Sequence, residues 1–383
     1  MTIGIGLLGL GTVGAGVAEI LLNPQSRHPL VGQLALKRVA VRDLNRPRPV
    51  DLPAEILCTD PQQVVNDPAV DIVVEVMGGL EPARSLILAA IAAGKPVVTA
   101  NKAVIARYGE EIAAAAAERG VYVLIEAAVG GGIPIIEPLK QSLGGNRIQR
   151  VSGIINGTTN YILSRMAAEG AAYADVLADA QRLGYAEADP AADVQGGDAA
   201  DKIAILAGLA YGGGVPRAAI PTEGIDRLDA RDVAYAAQLG YVVKLLAVAQ
   251  AMPTRQAMPS SQTEQLLDVR VHPTLLPKAH PLAGVNGVNN AILVEGDPVG
   301  QVMFYGPGAG AGPTASAVVA DILNIAGIRE ASGSGGGPRR VARKGRGKGA
   351  LHARRGPLRR EHAPQQKTDS HGGRHAALLT GLN

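Results

Sequence analysis

The segment that decides the fold is Ile3-Gly-Ile-Gly-Leu-Leu-Gly9-Leu-Gly11-Thr-Val-Gly14. The apolar residues before Gly9 predict a buried strand, and those after Gly11 predict a helix, so a G-x-G-x-x-G turn joins strand to helix. In that setting Gly9 permits a tight turn, Gly11 lets a pyrophosphate approach the backbone, and Gly14 lets the helix pack on the strand. The segment therefore predicts a dinucleotide-binding loop. The alternative is a strand–helix turn with a purely structural role.

The residues after the second predicted strand, at 37–41, bear on which dinucleotide binds. Arg42 and Asp43 follow that strand directly. An acidic residue there holds the ribose hydroxyls of NAD, whereas an arginine accommodates the 2′-phosphate of NADP. Arg42 therefore favours NADP, and Asp43 leaves NAD open.

Strand and helix patterns alternate through the first 125 residues. They predict helices at 60–67, 82–93 and 107–119 and strands at 70–77, 96–99 and 121–125. This alternation is typical of a doubly wound parallel sheet, whose ligands bind beyond the carboxyl ends of the strands. Thr99-Ala-Asn-Lys102 follows one of those strands, so Lys102 is expected to point toward the cofactor cleft. The alternative is a lysine on the surface.

A second polar segment, Glu187-Ala-Asp-Pro-Ala-Ala-Asp193-Val-Gln-Gly-Gly-Asp198-Ala-Ala-Asp-Lys202, gathers carboxylates ahead of a lysine. If a helix begins at Asp198, Lys202 lies four residues later on the same face, so the two side chains can touch. Such a pair can hold an amine-bearing substrate or fix a lysine as a proton donor. The alternative is a solvated surface ion pair. Asp201 points about 100° away around the helix and is expected to be solvated.

Composition narrows the class of protein. The chain has 383 residues, enough for two domains, and no apolar run near the roughly 18 residues of a membrane span. The N-terminus enters the first strand without a basic leader, and the single Cys58 excludes an internal disulfide, so a cytoplasmic protein without a membrane partner is expected. Trp is absent and Phe304 is the only Phe, so stacking platforms for single-stranded nucleic acid are not predicted.

The later part of the chain predicts a second domain followed by a basic tail. Residues 135–302 predict an α+β domain with helices at 173–183, 198–211 and 233–249, strands at 267–271 and 291–295, and a hairpin tip at 253–264. Residues 331–383 hold twelve Lys and Arg against Glu361 and Asp369, a net charge of +10 that leaves −7 for the rest. This basic tail has no apolar period and is predicted to be disordered. No nucleic-acid partner is predicted, and the positive charge of the tail is only a weak argument for such binding.

Six motifs occur in order along the chain. They are Gly9-Leu-Gly-Thr-Val-Gly14, Thr99-Ala-Asn-Lys-Ala103, Glu126-Ala-Ala-Val-Gly-Gly-Gly-Ile-Pro-Ile135, Ile155-Asn-Gly-Thr-Thr-Asn160, the 187–202 segment and Gly306-Pro-Gly-Ala-Gly310. Together they resemble homoserine dehydrogenase over about residues 3–328. The resemblance implies an NAD(P)-dependent oxidoreductase that interconverts L-homoserine and L-aspartate 4-semialdehyde in threonine and methionine biosynthesis, as a homodimer. It also implies that 303–328 return to a nucleotide-binding domain at 1–134, beside a substrate-binding and dimerisation domain at 135–302.

The resemblance also assigns roles residue by residue. It implies that Lys202 is the catalytic acid/base, that Lys102 lies beside nicotinamide and substrate, and that Glu187, Asp193 and Asp198 bind the substrate. It implies a sodium-like cation on Glu126 and the backbone carbonyls of Val129, Gly131 and Ile133; the alternative for this Gly-rich turn is a flexible connector. Residues implied to contact the cofactor are Gly9, Leu10, Gly11, Thr12, Val13, Gly14, Lys102, Gly184 and Gly310. Arg42 is added because of its positive charge, and Thr99 because it ends a strand at the carboxyl edge of the sheet.

Elementary chemistry agrees with these roles. Hydride transfer to an aldehyde develops negative charge on oxygen, which a lysine can neutralise or protonate. An acyl-forming dehydrogenase would need a cysteine nucleophile, and Cys58 lies away from the predicted carboxyl edge. A non-catalytic NADP-binding sensor is the remaining alternative. Longer members of the family carry a regulatory domain after the catalytic part, and because 331–383 does not alternate like its strands, feedback inhibition by threonine is predicted to be absent.

Overall fold

The first half of the chain folds around a six-stranded parallel sheet. The computed structural model describes residues 2–252 and 266–333. The strand order is β3-β2-β1-β4-β5-β6. The elements of this part are β1 Ile3–Leu8, α1 Thr12–Leu22, β2 Leu34–Ala40, β3 Leu57–Cys58, α2 Gln62–Asn66, β4 Ile72–Glu75, α3 Ala83–Ala92, β5 Val97–Thr99, α4 Lys102–Arg119 and β6 Val123–Leu124.

Both faces of this sheet are covered, as a doubly wound fold requires. Every residue of β1 is buried, because it is a central strand with helices on either side. One face packs with Val17 of α1, and the other packs with Leu86 of α3 and Ile112 of α4. The carboxyl ends of β1, β4 and β5 therefore lie side by side at one edge of the sheet.

The second half builds a five-stranded antiparallel sheet with the order β11-β10-β7-β8-β9. Helices cover one face, where Leu245 and Ile292 join the largest apolar cluster, and a smaller cluster around Leu282 covers part of the other. The elements are β7 Arg147–Ile154, α5 Gly157–Glu169, α6 Tyr173–Arg182, α7 Ala191–Val194, α8 Gly197–Tyr211, α9 Ala230–Gln238, β8 Tyr241–Ala251, β9 Leu267–Pro277, β10 Asn289–Asp297 and β11 Gly300–Pro307. The predicted fold, a Rossmann-type domain plus an α+β domain, is confirmed.

Two predicted helices have the wrong bounds. The helix predicted at 233–249 ends at Gln238, and after Gly240, at φ 86°, the chain continues as strand β8. Apart from Lys244, residues 242–249 are apolar on both faces of the strand, a pattern that periodicity cannot separate from a buried helix. The helix predicted at 107–119 begins at Lys102, because the Asn101 side chain accepts a hydrogen bond from Val104 N and caps it. Lys102 therefore opens a helix.

The last helix, α10 Ala311–Gly333, packs against α1. A Cβ at Gly16 of α1 would lie 2.7 Å from the Ala311 oxygen, so that glycine permits the close approach. By length and composition Ala311–Arg329 is the one helix of the described residues that could cross a membrane, but half of it is buried within the protein. It is typical of a core helix. The hairpin tip predicted at 253–264 and the tail beyond residue 333 lie outside the described residues.

A buried lysine in the second sheet gives a testable pH dependence. Lys244 of β8 is 2% exposed and donates to Asn160 Oδ1, Asn286 Oδ1 and the Val285 carbonyl. Burial lowers the pKa of Lys244 to about 8, so between about pH 8 and 10.5 the unfolded chain binds more protons. The free energy of unfolding should rise with pH across that window, by up to about 3 kcal/mol from this group. Urea unfolding of Lys244→Met should show a flatter rise, and equal slopes would contradict the assignment.

Candidate active site

Two lysines from different parts of the chain meet at one carboxylate, that of Asp198. Asp198 lies in the first turn of α8, and its Oδ2 lies 2.7 Å from Nζ of Lys202 on the same helix face. Its Oδ1 lies 2.5 Å from Nζ of Lys102, the first residue of α4. The side chains of Asp198 and Lys202 are 6% and 10% exposed, so the surface-pair alternative is wrong.

The environment drives the pKa values of the two lysines apart. Burial lowers the pKa of Lys202, although Asp198 opposes the shift. For Lys102, whose side chain is half-exposed, the attraction of Asp198 outweighs desolvation and raises the pKa. Burial alone would raise the pKa of the Asp198 carboxyl, but Lys202 and Lys102 together hold it well below its usual range. The lowered pKa favours the neutral form of Lys202, and the raised pKa favours the charged form of Lys102.

The Lys202 ammonium has a donor to spare. Its Nζ donates to Asp198 Oδ2 and to the Ile155 carbonyl, each at 2.7 Å. An ammonium has three N–H groups, and no third acceptor is found among residues 2–252 and 266–333. One N–H can therefore reach a bound molecule.

Asn156 joins the acidic loop to this cluster. It caps α5 by accepting from Thr159 N at 2.9 Å, and its Nδ2 donates to Asp193 Oδ1 at 2.7 Å and Asp198 Oδ2 at 3.0 Å. The sequence alone showed a polar turn here, although an Asn three residues before Thr159 is also an N-cap signal. Asn156 brings Asp193 beside Asp198, so the site contains two carboxylates.

The Gly-rich turn after β1 has the shape of a nucleotide cradle. Gly9 has φ 103°, and a Cβ at Gly14 would lie 2.3 Å from the Gly9 oxygen, so Gly14 is needed for packing. A Cβ at Gly11 would meet nothing within 4 Å, so this side of the turn is open. No side chain caps α1, which leaves amide donors of Thr12 and Val13 at an exposed helix start. Leu10, between these glycines, is partly buried in the same core.

Of two residues predicted to contact the cofactor, Arg42 is exposed and Thr99 is buried. Arg42, two residues after β2, is exposed and forms no ion pair within the described part of the chain, so its guanidinium is free. The neighbouring loop is closed by Arg48, which donates to the Asp43 and Leu44 carbonyls. Thr99, by contrast, is fully buried and its hydroxyl donates to Glu75 Oε2 at 2.6 Å. Only the backbone of Thr99 could face a cofactor.

Family profiles match both halves of the chain. The profile for homoserine dehydrogenase matches residues 134–323, and that for the homoserine dehydrogenase NAD-binding domain matches residues 9–126. The homoserine dehydrogenase of Synechocystis sp. is 64% identical over 328 residues, which cover 86% of this chain and 74% of that protein. The chain belongs to the homoserine dehydrogenase family. It is therefore an oxidoreductase, and the sensor alternative has no support from these relatives.

Other homoserine dehydrogenases agree in sequence and in fold. The enzyme of Corynebacterium glutamicum is 47% identical over 326 residues, which cover 85% of this chain and 72% of that enzyme. A crystal structure from Thiobacillus denitrificans has a TM-score of 0.79 and 47% identity, covering 88% of this chain and 76% of that one. A hyperthermophilic archaeal homoserine dehydrogenase, solved in complex with NADPH, has a TM-score of 0.69 and 28% identity, covering 86% of this chain and 98% of that one.

Some residues that the family resemblance singles out lie outside the hydrogen-bonded cluster. Glu187 is exposed on the loop after α6, and within residues 2–252 and 266–333 only its backbone carbonyl is bonded, by Gln181 Nε2 at 3.1 Å. Gly184, at φ 76°, ends the helical region before that loop, and Gly310, at φ 125°, precedes α10. Both glycines are exposed in backbone conformations that side chains rarely adopt, so a ligand could approach them closely.

The segment implied to hold a cation in homoserine dehydrogenases is compact and buried. The Glu126 carboxylate accepts from the amides of Ile135 at 2.6 Å, Ile136 at 2.8 Å and Glu137 at 2.8 Å. Val129, Gly131 and Ile133 lie in the buried turn between them, and Gly131 has φ 56°. Asp321 of α10 accepts from Glu126 N at 2.8 Å, and burial raises the pKa of Asp321 to about 7.

The expectation that Asp201 is solvated is wrong. It is 9% exposed, and its carboxylate lies 3.0 Å from Arg217 Nε and 3.4 Å from Arg107 Nη1 of α4. The face of α8 that carries Asp201 is covered because α4 packs along α8, a tertiary contact that helical periodicity does not reveal. A second charge pair thus joins the two helices that carry the two lysines.

Proposed function

We propose that this homoserine dehydrogenase interconverts L-homoserine and L-aspartate 4-semialdehyde with NADP, in the biosynthesis of threonine, methionine and isoleucine. The observation that carries the proposal is the Asp198 carboxylate between Lys102 and Lys202. A single carboxylate that anchors two amines, one with a lowered and one with a raised pKa, provides both a proton-exchanging group and a fixed positive charge.

The residues would divide the work as follows. A bound nicotinamide supplies or accepts the hydride. Lys202 donates its free N–H to the aldehyde oxygen and gives it the proton as hydride reaches the carbon; in the reverse direction neutral Lys202 accepts the hydroxyl proton. Lys102 keeps its charge and stabilises the negative charge that develops on oxygen. Asp193 and Asp198, with the exposed Glu187, offer carboxylates to the substrate ammonium.

An assay of the formation of reduced nucleotide, followed by absorbance at 340 nm, tests this proposal. NADP with L-homoserine should give steady formation of reduced nucleotide, whereas L-serine, one carbon shorter, should give little because its hydroxyl cannot reach Lys202 while its ammonium is held. Nucleotide binding without any turnover of L-homoserine would instead indicate a sensor.

The NADP preference is attributed to Arg42. Its guanidinium is exposed and unpaired within the described residues at the end of β2, where a 2′-phosphate is expected. Arg42→Ala should raise the KM for NADP about tenfold or more, the scale of a lost hydrogen bond to a charged group, with the KM for NAD unchanged. Arg27→Ala, beyond the far end of α1, should change neither value. An equal rise for both nucleotides would refute the phosphate contact.

A monovalent cation, of the kind that sodium represents, is proposed at the Glu126 turn. Hard cations prefer carbonyl and carboxylate oxygens. The carbonyls of Val129, Gly131 and Ile133 are buried and accept no hydrogen bond within residues 2–252 and 266–333, and the Glu126 carboxylate has no basic partner there. The three free carbonyls and the negative charge of Glu126 fit a cation, whose role would be to hold this turn against the Gly306–Gly310 segment.

We also propose domain bounds, a homodimer and a cellular location for this protein. We take 1–134 with 303–328 as the nucleotide-binding domain, supported by the packing of α10 on α1, and 135–302 as the substrate and dimerisation domain. A homodimer is supported by exposed apolar residues on edge strand β11, Met303 at 42% and Tyr305 at 55%. The single unpaired Cys58 supports a cytoplasmic location.

A further inference from the structure

Glu75 is a buried acid that the mechanism above does not use. It ends β4 at the carboxyl edge of the parallel sheet and is fully buried. No lysine, arginine or histidine pairs with it within the described residues. Burial raises the pKa of Glu75, while hydrogen bonds from Thr99 and Met77 oppose the shift. A buried acid without a counter-ion destabilises a fold unless its oxygens are bonded, so its partners indicate its role.

The partners of Glu75 lead to Lys102 in three steps. Glu75 Oε2 accepts from the Thr99 hydroxyl at 2.6 Å, and Thr99 Oγ1 in turn accepts from Asn101 N at 3.0 Å. The Asn101 side chain caps α4 by accepting from Val104 N at 3.2 Å. Lys102 is the first residue of that helix, and its Nζ pairs with Asp198. The Glu75 carboxylate is thus connected through Thr99 to Asn101, the residue that caps the helix carrying Lys102.

The same network also holds the turn after β4. Glu75 Oε1 accepts from Met77 N at 2.8 Å, and Asn101 Nδ2 donates to the Gly79 carbonyl at 2.7 Å. Gly78 and Gly79 both have φ 75°, a conformation that glycine adopts readily and other residues rarely. The turn after β4 and the start of α4 are therefore bonded to each other through Glu75, Thr99 and Asn101.

We propose that Glu75 is a positioning residue of this dehydrogenase, which acts through Thr99 and Asn101 to hold Lys102 against Asp198. An apolar residue would fill the same space but could not accept from Met77 and Thr99 together. The proposal rests on the proposed role of Lys102 as the charge that stabilises the reacting oxygen. Glu75 itself touches neither Lys102 nor Asp198, so it is distinct from the catalytic residues.

Matched variants of Thr99 and Glu75 test the proposal. Thr99→Val keeps the shape and removes the hydroxyl, and should lower kcat between about tenfold and a hundredfold, the scale of a misplaced catalytic group. Thr99→Ser keeps the hydroxyl and should restore kcat to within about threefold of the unsubstituted enzyme. Glu75→Gln keeps the acceptor for Met77 and should fall between them. The KM for L-homoserine should change little, because Asp193 and Asp198 remain.

A control at the other end of the same strand separates positioning from stability. Asp71, just before β4, accepts from Gly4 N at 2.7 Å and pairs with Arg329, so Asp71→Asn perturbs a partly buried contact at the opposite end of the strand. It should lower the urea midpoint while kcat stays the same. If Asp71→Asn lowers kcat as much as Thr99→Val at equal loss of stability, Glu75 is merely structural and the proposal is wrong.

A second readout needs no nucleotide and no turnover. Amine labelling with trinitrobenzenesulfonate, followed by mass spectrometry of the peptides, reports how tightly Lys102 is paired; exposed Lys278 is the internal reference. Thr99→Val should label Lys102 several-fold faster than the unsubstituted protein, relative to Lys278, and Thr99→Ser should not. Unchanged labelling in Thr99→Val would overturn the proposal. Faster labelling in a protein that does not turn over L-homoserine would sink the proposed function and leave the positioning role standing.

Discussion

Replacing Lys202 with alanine is expected to lower kcat by two or more powers of ten in both directions, the scale of a lost general acid/base. Lys202 Nζ is held at 2.7 Å by both Asp198 and the Ile155 carbonyl, so its remaining N–H has a set direction. Because Lys102 stays charged beside Asp198, substrate binding and part of the electrostatic stabilisation should survive. The measurement is initial rate at 340 nm with saturating nucleotide and substrate.

Lys244→Met is the matched control, since Lys244 is also a buried lysine but has no contact with Asp198 among the described residues. Its kcat should stay within about twofold of the unsubstituted enzyme, so that loss of a buried ammonium as such is separated from loss of the proton donor. Turnover of Lys202→Ala equal to that of Lys244→Met would remove Lys202 from the mechanism.

The pH dependence gives the same prediction a second readout. Oxidation of L-homoserine needs neutral Lys202, and burial lowers the pKa of this group with Asp198 opposing. The kcat for oxidation should therefore rise with pH and level off above that pKa. The residual rate of Lys202→Ala should lack this rise. A rise of equal size in the variant would show that another group accepts the proton.

The parts of the site that sequence could predict depend on local geometry. The Gly9–Gly14 turn is defined by three glycines at fixed spacing, each with its own steric reason, and the structure shows the tight turn, the open face and the helix contact. The Asp198–Lys202 contact follows from four-residue spacing on one helix. Neither needs knowledge of how distant elements pack.

The parts that sequence could not predict depend on packing between distant elements. That Lys102 reaches Asp198, or that Asp201 is covered by Arg107 and Arg217, is decided by α4 lying along α8. The helix predicted at 233–249 takes in most of strand β8, because a segment buried on both faces shows no period of its own. The start of α4 was available in principle from the N-cap signal at Asn101.

Asp198→Asn is expected to disable the site and to destabilise the fold together. The substitution keeps the shape but leaves Lys202, whose side chain is 10% exposed, without a counter-ion, and breaking such a buried pair costs about 3 kcal/mol or more. The two lysines would then repel each other across the site, so kcat/KM should fall by two or more powers of ten. Urea unfolding and initial rates measure the two effects.

The pH range of that destabilisation follows from the sign of the shift. Lys202 and Lys102 hold the pKa of Asp198 far below its unfolded value of 3.8, although burial opposes them. Its contribution is therefore present above pH 3.8 and is lost only as the pH falls below that value. Because removal of Asp198 lowers the pKa of Lys202 further, the stability difference between the unsubstituted enzyme and Asp198→Asn should not shrink from pH 8 to pH 5. A difference that vanished by pH 5 would mean that the pKa of Asp198 is raised in the folded protein and not lowered.

A double substitution decides whether the loss comes from an unpaired charge. Asp198→Asn with Lys202→Met removes the unpaired ammonium as well as its partner. The free energy of unfolding of the double variant, measured with urea, should therefore exceed that of Asp198→Asn alone by about 1 kcal/mol or more. Activity should not return, because the proton donor is gone. If the two losses of stability simply add, the buried pair is not what holds α8 in place, and the coupling of Asp198 to Lys202 would have to be abandoned.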